Sequence, residues 1–192
     1  MQEYWEKTDK LLTKIQGSCL MAISSVGKKL DLAKLLILSK RNKKIMIKLS
    51  DYVIESIAKQ GIKHVFLLPG GGAMHLNDSL GKCPDIEFVC NLHEQASAIA
   101  AEAYAKVTNN LGVAIVTSSP GGTNTVTGLA GAWLDSTPCL FISGQVKRAD
   151  LMGDLAVRQL GVQEVDIVSI VQSITKYAIT ITDPNTIALL GL

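Results

Sequence analysis

The chain has 192 residues, 47% of them hydrophobic, with a positive mean hydropathy, so one domain with a real core fits and general disorder is excluded. No apolar run approaches the ~20 residues that cross a bilayer, and Glu3, Glu6 and Asp9 among the first lysines suit no targeting peptide. The net charge of +2 divides unevenly: residues 1–48 hold 11 Lys and Arg against 4 Asp and Glu, and residues 49–192 hold 8 against 13.

Residues 1–45 read as a basic, poorly ordered N-terminal extension. Two weakly helical patches (Leu11, Leu12, Ile15 and Leu30, Leu32, Leu35, Leu36) are separated by Gly17, Ser24, Ser25 and Gly27. The stretch has no aromatic interleaving and no nucleic-acid motif, so neither a nucleic-acid nor a membrane partner is expected. Cys19, Cys83, Cys90 and Cys139 show no C-x-x-C spacing, which points to reduced thiols in a cytoplasmic protein.

The compact domain is expected over residues 46–192. Ser50 is a candidate cap for a helix to about Gln60, with Gly61 as its stop. A strand at His64-Val65-Phe66-Leu67-Leu68 turns through Pro69-Gly70-Gly71-Gly72 into a helix towards Leu80, closed by Gly81. The apolar run Ile86, Phe88, Val89, Cys90 reads as a buried strand that passes into an alanine-rich helix opening at Glu94. Residues 112–117 form a further strand, followed by Ser118-Ser119-Pro120-Gly121-Gly122 and a helix from Thr123 to about Leu134. Cys139-Leu140-Phe141-Ile142-Ser143 is a fourth strand. A polar, loop-like stretch then runs to Gly161, an apolar pattern returns at 165–171, and another strand is possible at Tyr177 to Thr182. Strands that are continuous apolar runs, with a helix between successive ones, predict an α/β fold: a parallel sheet flanked by helices on both faces.

Two glycine-rich turns and Glu94 therefore reach the carboxyl edge of one sheet from three successive strands. Turns of this kind at helix N-termini are ready ligand sites, and a carboxylate in a first helical turn sits at the positive end of the dipole. Neither turn has dinucleotide or Walker spacing. His64 and His75 lack partners at metal-ligand spacing, and no metal ligands are expected. Ser118 and Ser119 lack a His/Asp pairing.

Five motifs occur in order: Val65-Phe66-Leu67-Leu68-Pro69-Gly70-Gly71, His93-Glu94-Gln95, Thr117-Ser118-Ser119-Pro120-Gly121-Gly122-Thr123-Asn124, Gly144-Gln145-Val146 and Val162-Gln163-Glu164. In these, from about Met46 to Lys176, the chain resembles the N-terminal pyrimidine-binding (PYR) domain of thiamine-diphosphate-dependent enzymes, most closely the acetolactate synthases. Pyruvate oxidases and benzaldehyde lyase-like enzymes share the pattern. The resemblance implies thiamine diphosphate as cofactor, a 2-oxo acid such as pyruvate as substrate, and decarboxylation or carboligation as reaction. It implies that Glu94 hydrogen-bonds N1′ of the aminopyrimidine, favouring the imino tautomer that takes the thiazolium C2 proton. Leu68, Pro69, Gly70, Thr117, Pro120 and Asn124 would line the pyrimidine pocket, and Gln163 would face the reacting centre as a second catalytic residue.

The sequence departs from the pattern at Leu67 and Ser119, where the family carries glycine, and at Val162, where acetolactate synthases often carry an aromatic residue; Val162 would alter the substrate pocket. The family holds diphosphate and Mg²⁺ through Gly-Asp-Gly and an asparagine in a second α/β domain. Gly153-Asp154-Leu155 fails that motif at its third position. The expectation is thus one half of a site, inactive alone, with the apolar end at Ile187–Leu192 suggesting a truncated domain. The expected partners are a second copy of the chain, a diphosphate-binding domain, or both. A separate PYR subunit completed by another chain and a catalytically inactive binding or oligomerisation module are the alternatives.

Overall fold

The computed structural model describes residues 19–23 and 47–190. Among these residues, six strands form one sheet. They are β1 (Cys19–Ile23), β2 (His64–Leu67), β3 (Glu87–Cys90), β4 (Gly112–Val116), β5 (Cys139–Gly144) and β6 (Tyr177–Ile181), in the spatial order β3-β2-β4-β5-β1-β6. The run β3-β2-β4-β5 is parallel throughout, as the sequence predicts.

Alternation along the central strands divides the core in two. Val65, Leu67, Val113, Ile115, Leu140 and Ile142 face α1 (Leu49–Lys59) and α2 (Met74–Lys82), meeting Val53, Ile54, Ile57, Leu76 and Leu80. Ala114 and Phe141 face the opposite way, onto α3 (Glu94–Thr108), α5 (Val126–Leu134) and α6 (Ile167–Val171). Ala114 pairs with Phe141 across β4 and β5, so a small residue makes room for a ring on that face. The alanines of α3 let its backbone lie close to the sheet: a Cβ on Gly112 would stand 2.0 Å from the Ala101 carbonyl oxygen. The same closeness joins α3 to α5, where a Cβ on Gly128 would meet that of Ala98 at 2.5 Å. Helices thus cover both faces of the sheet.

Several elements differ from expectation. Glu87 to Cys90 are all exposed, with Phe88 at 47%, because β3 is the sheet edge rather than a buried strand. Ser50 lies inside α1, 2.8 Å from the Ser79 hydroxyl of α2, and the residue before the helix is Lys48. α2 continues through Gly81 to Lys82. The helix expected from Thr123 divides into α4 (Gly121–Asn124) and α5 around Thr125, whose hydroxyl bonds the Gly122 carbonyl at 2.7 Å. Such a side-chain bond competes with the regular helical ladder. β1 pairs antiparallel with both β5 and β6, Met21 standing opposite Ile142 and Ile179. The helical patches around 11–15 and 30–36 lie outside the described residues.

Candidate functional site

The connection leaving β2 runs to β3 on one side, and the connection leaving β4 runs to β5 on the other. The carboxyl ends of β2 and β4 therefore flank a topological switch point, where open α/β sheets leave a crevice for a ligand. Leu68, Pro69 and Gly70 follow β2 there, and Thr117 follows β4. The two segments are in close contact. A Cβ on Gly70 would lie 2.4 Å from the Thr117 Cβ and 2.6 Å from its Oγ1. The Gly72 amide donates to Thr117 Oγ1 at 3.0 Å. A Cβ on Gly72 would reach Ser118 Oγ at 2.7 Å, and one on Gly144, at the end of β5, would reach the Gly72 carbonyl oxygen at 2.3 Å. Three strand ends thus converge on a turn with no room for a side chain at Gly70 or Gly72.

Glu94 is the first residue of α3 and is 7% exposed. The helix is capped by His93, whose Nδ1 accepts from the Gln95 amide at 3.1 Å. Asn91 and Ser97 brace the same entry through a 3.1 Å side-chain bond. The Glu94 carboxylate is held from one side only. Asn124 Nδ2, at the end of α4, donates to Oε2 at 2.9 Å, while Oε1 carries no hydrogen bond among the described residues. A Cβ on Gly121 would lie 3.3 Å from that free oxygen and 2.7 Å from Thr117 Cγ2. Glycine at 121 keeps the approach to Oε1 open. Pro120, exposed at the start of α4 after a cis Ser119–Pro120 bond, completes the turn.

Glu94, Asn124, Thr117, Gly70 and Pro120 are therefore brought to one edge, with Leu68 and Pro69 adjoining in sequence. Gln163 joins them through none of these contacts. It is exposed, at a left-handed φ of 62°, on the connection between β5 and α6. Its neighbour Glu164 is buried and accepts from the amides of Met152 at 2.6 Å, Leu160 at 2.9 Å and Gly161 at 3.1 Å. Burial pushes the Glu164 carboxyl up, and the three amide donors outweigh it, so the group lies below its ordinary value. Gln145, just after β5, ties the connection to the sheet edge by donating to the Val165 carbonyl at 3.0 Å.

The roles of Asn124 as partner of Glu94 and of Glu164 as an amide acceptor leave no mark in residue periodicity. Two further polar atoms on α2, His75 Nε2 and Asn77 Oδ1, are buried without hydrogen-bond partners among the described residues. No group of three or more His, Cys, Asp or Glu side chains suited to a metal occurs among those residues. No helix of the described residues is long and apolar enough to cross a membrane.

Comparison with known proteins gives a family. The model "Thiamine pyrophosphate enzyme, N-terminal TPP binding domain" matches residues 47–170. The acetolactate synthase, chloroplastic, of Arabidopsis thaliana is 40% identical over 134 residues, covering 70% of this chain and 19% of that protein. The mitochondrial acetolactate synthase of Schizosaccharomyces pombe is 40% identical over 129 residues, 67% of this chain and 18% of that one. The acetolactate synthase large subunit of Buchnera aphidicola subsp. Schizaphis graminum is 40% identical over 129 residues, 67% of this chain and 22% of that one. The chain spans about a fifth of the length of these curated relatives.

Proposed function

Since the chain belongs to the thiamine pyrophosphate enzymes, as their N-terminal TPP binding domain, we propose that it is the pyrimidine-binding half of a 2-oxo-acid carboligase or decarboxylase of acetolactate synthase type. The observation that carries this reading is the one-sided hold on Glu94. A carboxyl group that is to exchange a proton with a ring nitrogen needs one oxygen fixed and the other open, in a place that excludes bulk water. Asn124 fixes Oε2, burial limits water, and Gly121 leaves Oε1 reachable. Thiamine diphosphate fits this set of groups.

When bound, thiamine diphosphate supplies the electron sink that lets a 2-oxo acid lose carbon dioxide and form a new carbon–carbon bond. Glu94 Oε1 would hold the proton shared with N1′ of the aminopyrimidine. Asn124 keeps the Glu94 carboxyl in one rotamer, so no reorientation is needed as that proton moves. Leu68, Pro69, Gly70, Thr117 and Pro120 would line the pocket that receives the ring. Gln163 orients the 2-oxo acid, of which pyruvate is the first to test, and Val162 beside it sets the shape available to the acceptor.

In this reading diphosphate and Mg²⁺ are held by a second domain or a partner chain, as the family resemblance implies. Leu92, Ile99, Val107 and Leu134, 46–99% exposed, supply apolar surface for that partner or a second copy. A cytoplasmic setting is part of the same proposal.

Calorimetric titration of the chain with thiamine diphosphate and Mg²⁺ tests it, followed by pyruvate consumption once a diphosphate-binding domain of an acetolactate synthase is fused or co-expressed. Feeble binding alone and turnover after reconstitution are expected. Tight Mg²⁺-dependent binding by the chain alone would overturn the division of labour. A correctly assembled pair that neither binds the cofactor nor consumes a 2-oxo acid would favour a catalytically inactive binding module.

A further inference from the structure

The connection from β5 to α6 has little regular structure, running from Gln145 to Asp166 with one short 3-10 helix at Arg148–Asp150. A connection of this length would ordinarily be mobile, with its backbone groups paired to water. Here one side chain gathers it. Glu164 Oε1 takes the Met152 amide, and Oε2 takes those of Leu160 and Gly161. Glu164 is 9% exposed, and every hydrogen bond its carboxylate makes among the described residues is to main chain of its own connection. The Glu164 amide in turn donates to the Gly161 carbonyl at 3.2 Å, which closes a tight turn over 161–164. A Cβ on Gly161 would stand 2.6 Å from Val146 Cβ, so the closed turn also seats against the start of the connection.

Gln163 sits inside that turn at φ 62°. A residue other than glycine, asparagine or aspartate costs energy there and stays only where its surroundings over-determine it. The surroundings that do so are the three amide bonds on the adjacent carboxylate. We propose that Glu164 is a positioning residue: its carboxylate folds the 152–161 segment onto itself and so fixes Gln163 in the one backbone conformation that presents its amide side chain outward at the sheet edge. This rests on the reading above that Gln163 orients the 2-oxo acid. Glu164 itself touches neither substrate nor cofactor.

The closing turn matters because both ends must be right together. Without the carboxylate, residue 163 relaxes towards negative φ, which swings its side chain away from the edge while leaving the sheet beneath intact. The segment is thus built to be lost without the core being lost. Replacing the carboxylate by an amide leaves one acceptor oxygen for three donors and places an NH₂ group against N–H groups. Glu164→Asp keeps the charge but shortens the reach by one methylene, so it should hold some of the amides and not all of them.

The test uses the chain itself, with hydrogen exchange resolved by residue and the side-chain amide of Gln163 as a spectroscopic reporter. In Glu164→Gln the amides of Met152, Leu160 and Gly161 should exchange at least ten-fold faster, with Val113 and Ile142 unchanged, and the Gln163 side-chain resonance should shift. Glu164→Asp, which also serves if Glu164→Gln fails to fold, should fall between the two. Unchanged exchange at the three amides, or an unmoved Gln163 resonance, would overturn the proposal. In the reconstituted enzyme, Glu164→Gln and Gln163→Ala should lower kcat by the same factor, and the double variant should be no worse than either. Multiplying losses would overturn it too. If the reconstituted parent consumes no 2-oxo acid, the functional reading fails on its own and the exchange data still decide whether Glu164 sets Gln163.

Discussion

Gly70→Ala perturbs the switch point at its tightest place. The glycine has φ −165°, extended backbone open to any residue, so the cost comes from contact and not from strain. The new methyl would stand 2.4 Å from the Thr117 Cβ and 2.6 Å from its Oγ1, about 1 Å inside ordinary contact. Separating the two loops by that amount is overpacking worth about 1–3 kcal/mol. Thr117 Oγ1 would also be turned from the Gly72 amide, losing a bond worth about 1 kcal/mol. Against this, alanine restricts the unfolded chain by about 0.4–1 kcal/mol. The net cost is about 1–3.5 kcal/mol, or a midpoint lowered by roughly 2–14 °C in a chain of this size. Urea unfolding of the variant and of Thr117→Gly, which removes the obstructing side chain, measures it. The double variant should be more stable than the sum of the singles predicts by about 1–2 kcal/mol. A cost for Gly70→Ala under about 0.5 kcal/mol, or strictly additive losses, would show that the two strand ends do not press on each other.

Four further outcomes are expected. The Glu164 carboxyl lies below its ordinary value in the folded chain, so its amide bonds stabilise the fold at neutral pH, and that contribution is lost as pH falls through the lowered folded value. The gap in unfolding free energy between parent and Glu164→Gln should accordingly stay constant above the ordinary carboxylate range and close below it. Asp78 is held down to about 2, first by its bond to Lys48 and then by that to Lys82, so its carboxyl should titrate there by NMR and move up in Lys48→Met. Leu134→Glu, at a residue 80% exposed, should reduce binding of an apolar dye while leaving the unfolding midpoint within a degree or two. Asn124→Leu should free the Glu94 carboxyl to change rotamer and weaken cofactor binding in the reconstituted enzyme about ten-fold, the worth of one charge-assisted bond.

The parallel sheet was legible because β2, β4 and β5 are continuous apolar runs punctuated by glycine turns, which only a strand covered on both faces requires. β3 carries the same kind of run and is nonetheless the edge, since composition records a strand's tendency and not its place in the order. β1 is five apolar residues within a basic stretch between two weak helical patterns, and its partners lie more than a hundred residues away. At the site, Glu94 and both glycine turns stood out from position alone, and the motif resemblance added Asn124 and Thr117. The Asn124–Glu94 bond joins residues 30 apart and leaves no local signature. Neither does the His93 cap, because histidine is not among the usual cap residues. Glu164 was hidden most completely: its partners are backbone amides, which every residue carries, and Gln163 gives no glycine or asparagine signal for the left-handed conformation it adopts.

In the proposed function Glu94 is the group that shares a proton with the cofactor's pyrimidine. The direct measurement is the rate of pyruvate consumption by the reconstituted enzyme, parent against Glu94→Gln, with unfolding midpoints recorded for both. Glutamine keeps the shape and can still accept from Asn124, so the midpoints should agree, while its amide cannot exchange the proton. General acid–base catalysis of this kind contributes about 10²–10⁴-fold, and a loss of that size is expected. A Glu94→Gln enzyme as fast as its parent would contradict the assignment, whatever else the chain binds.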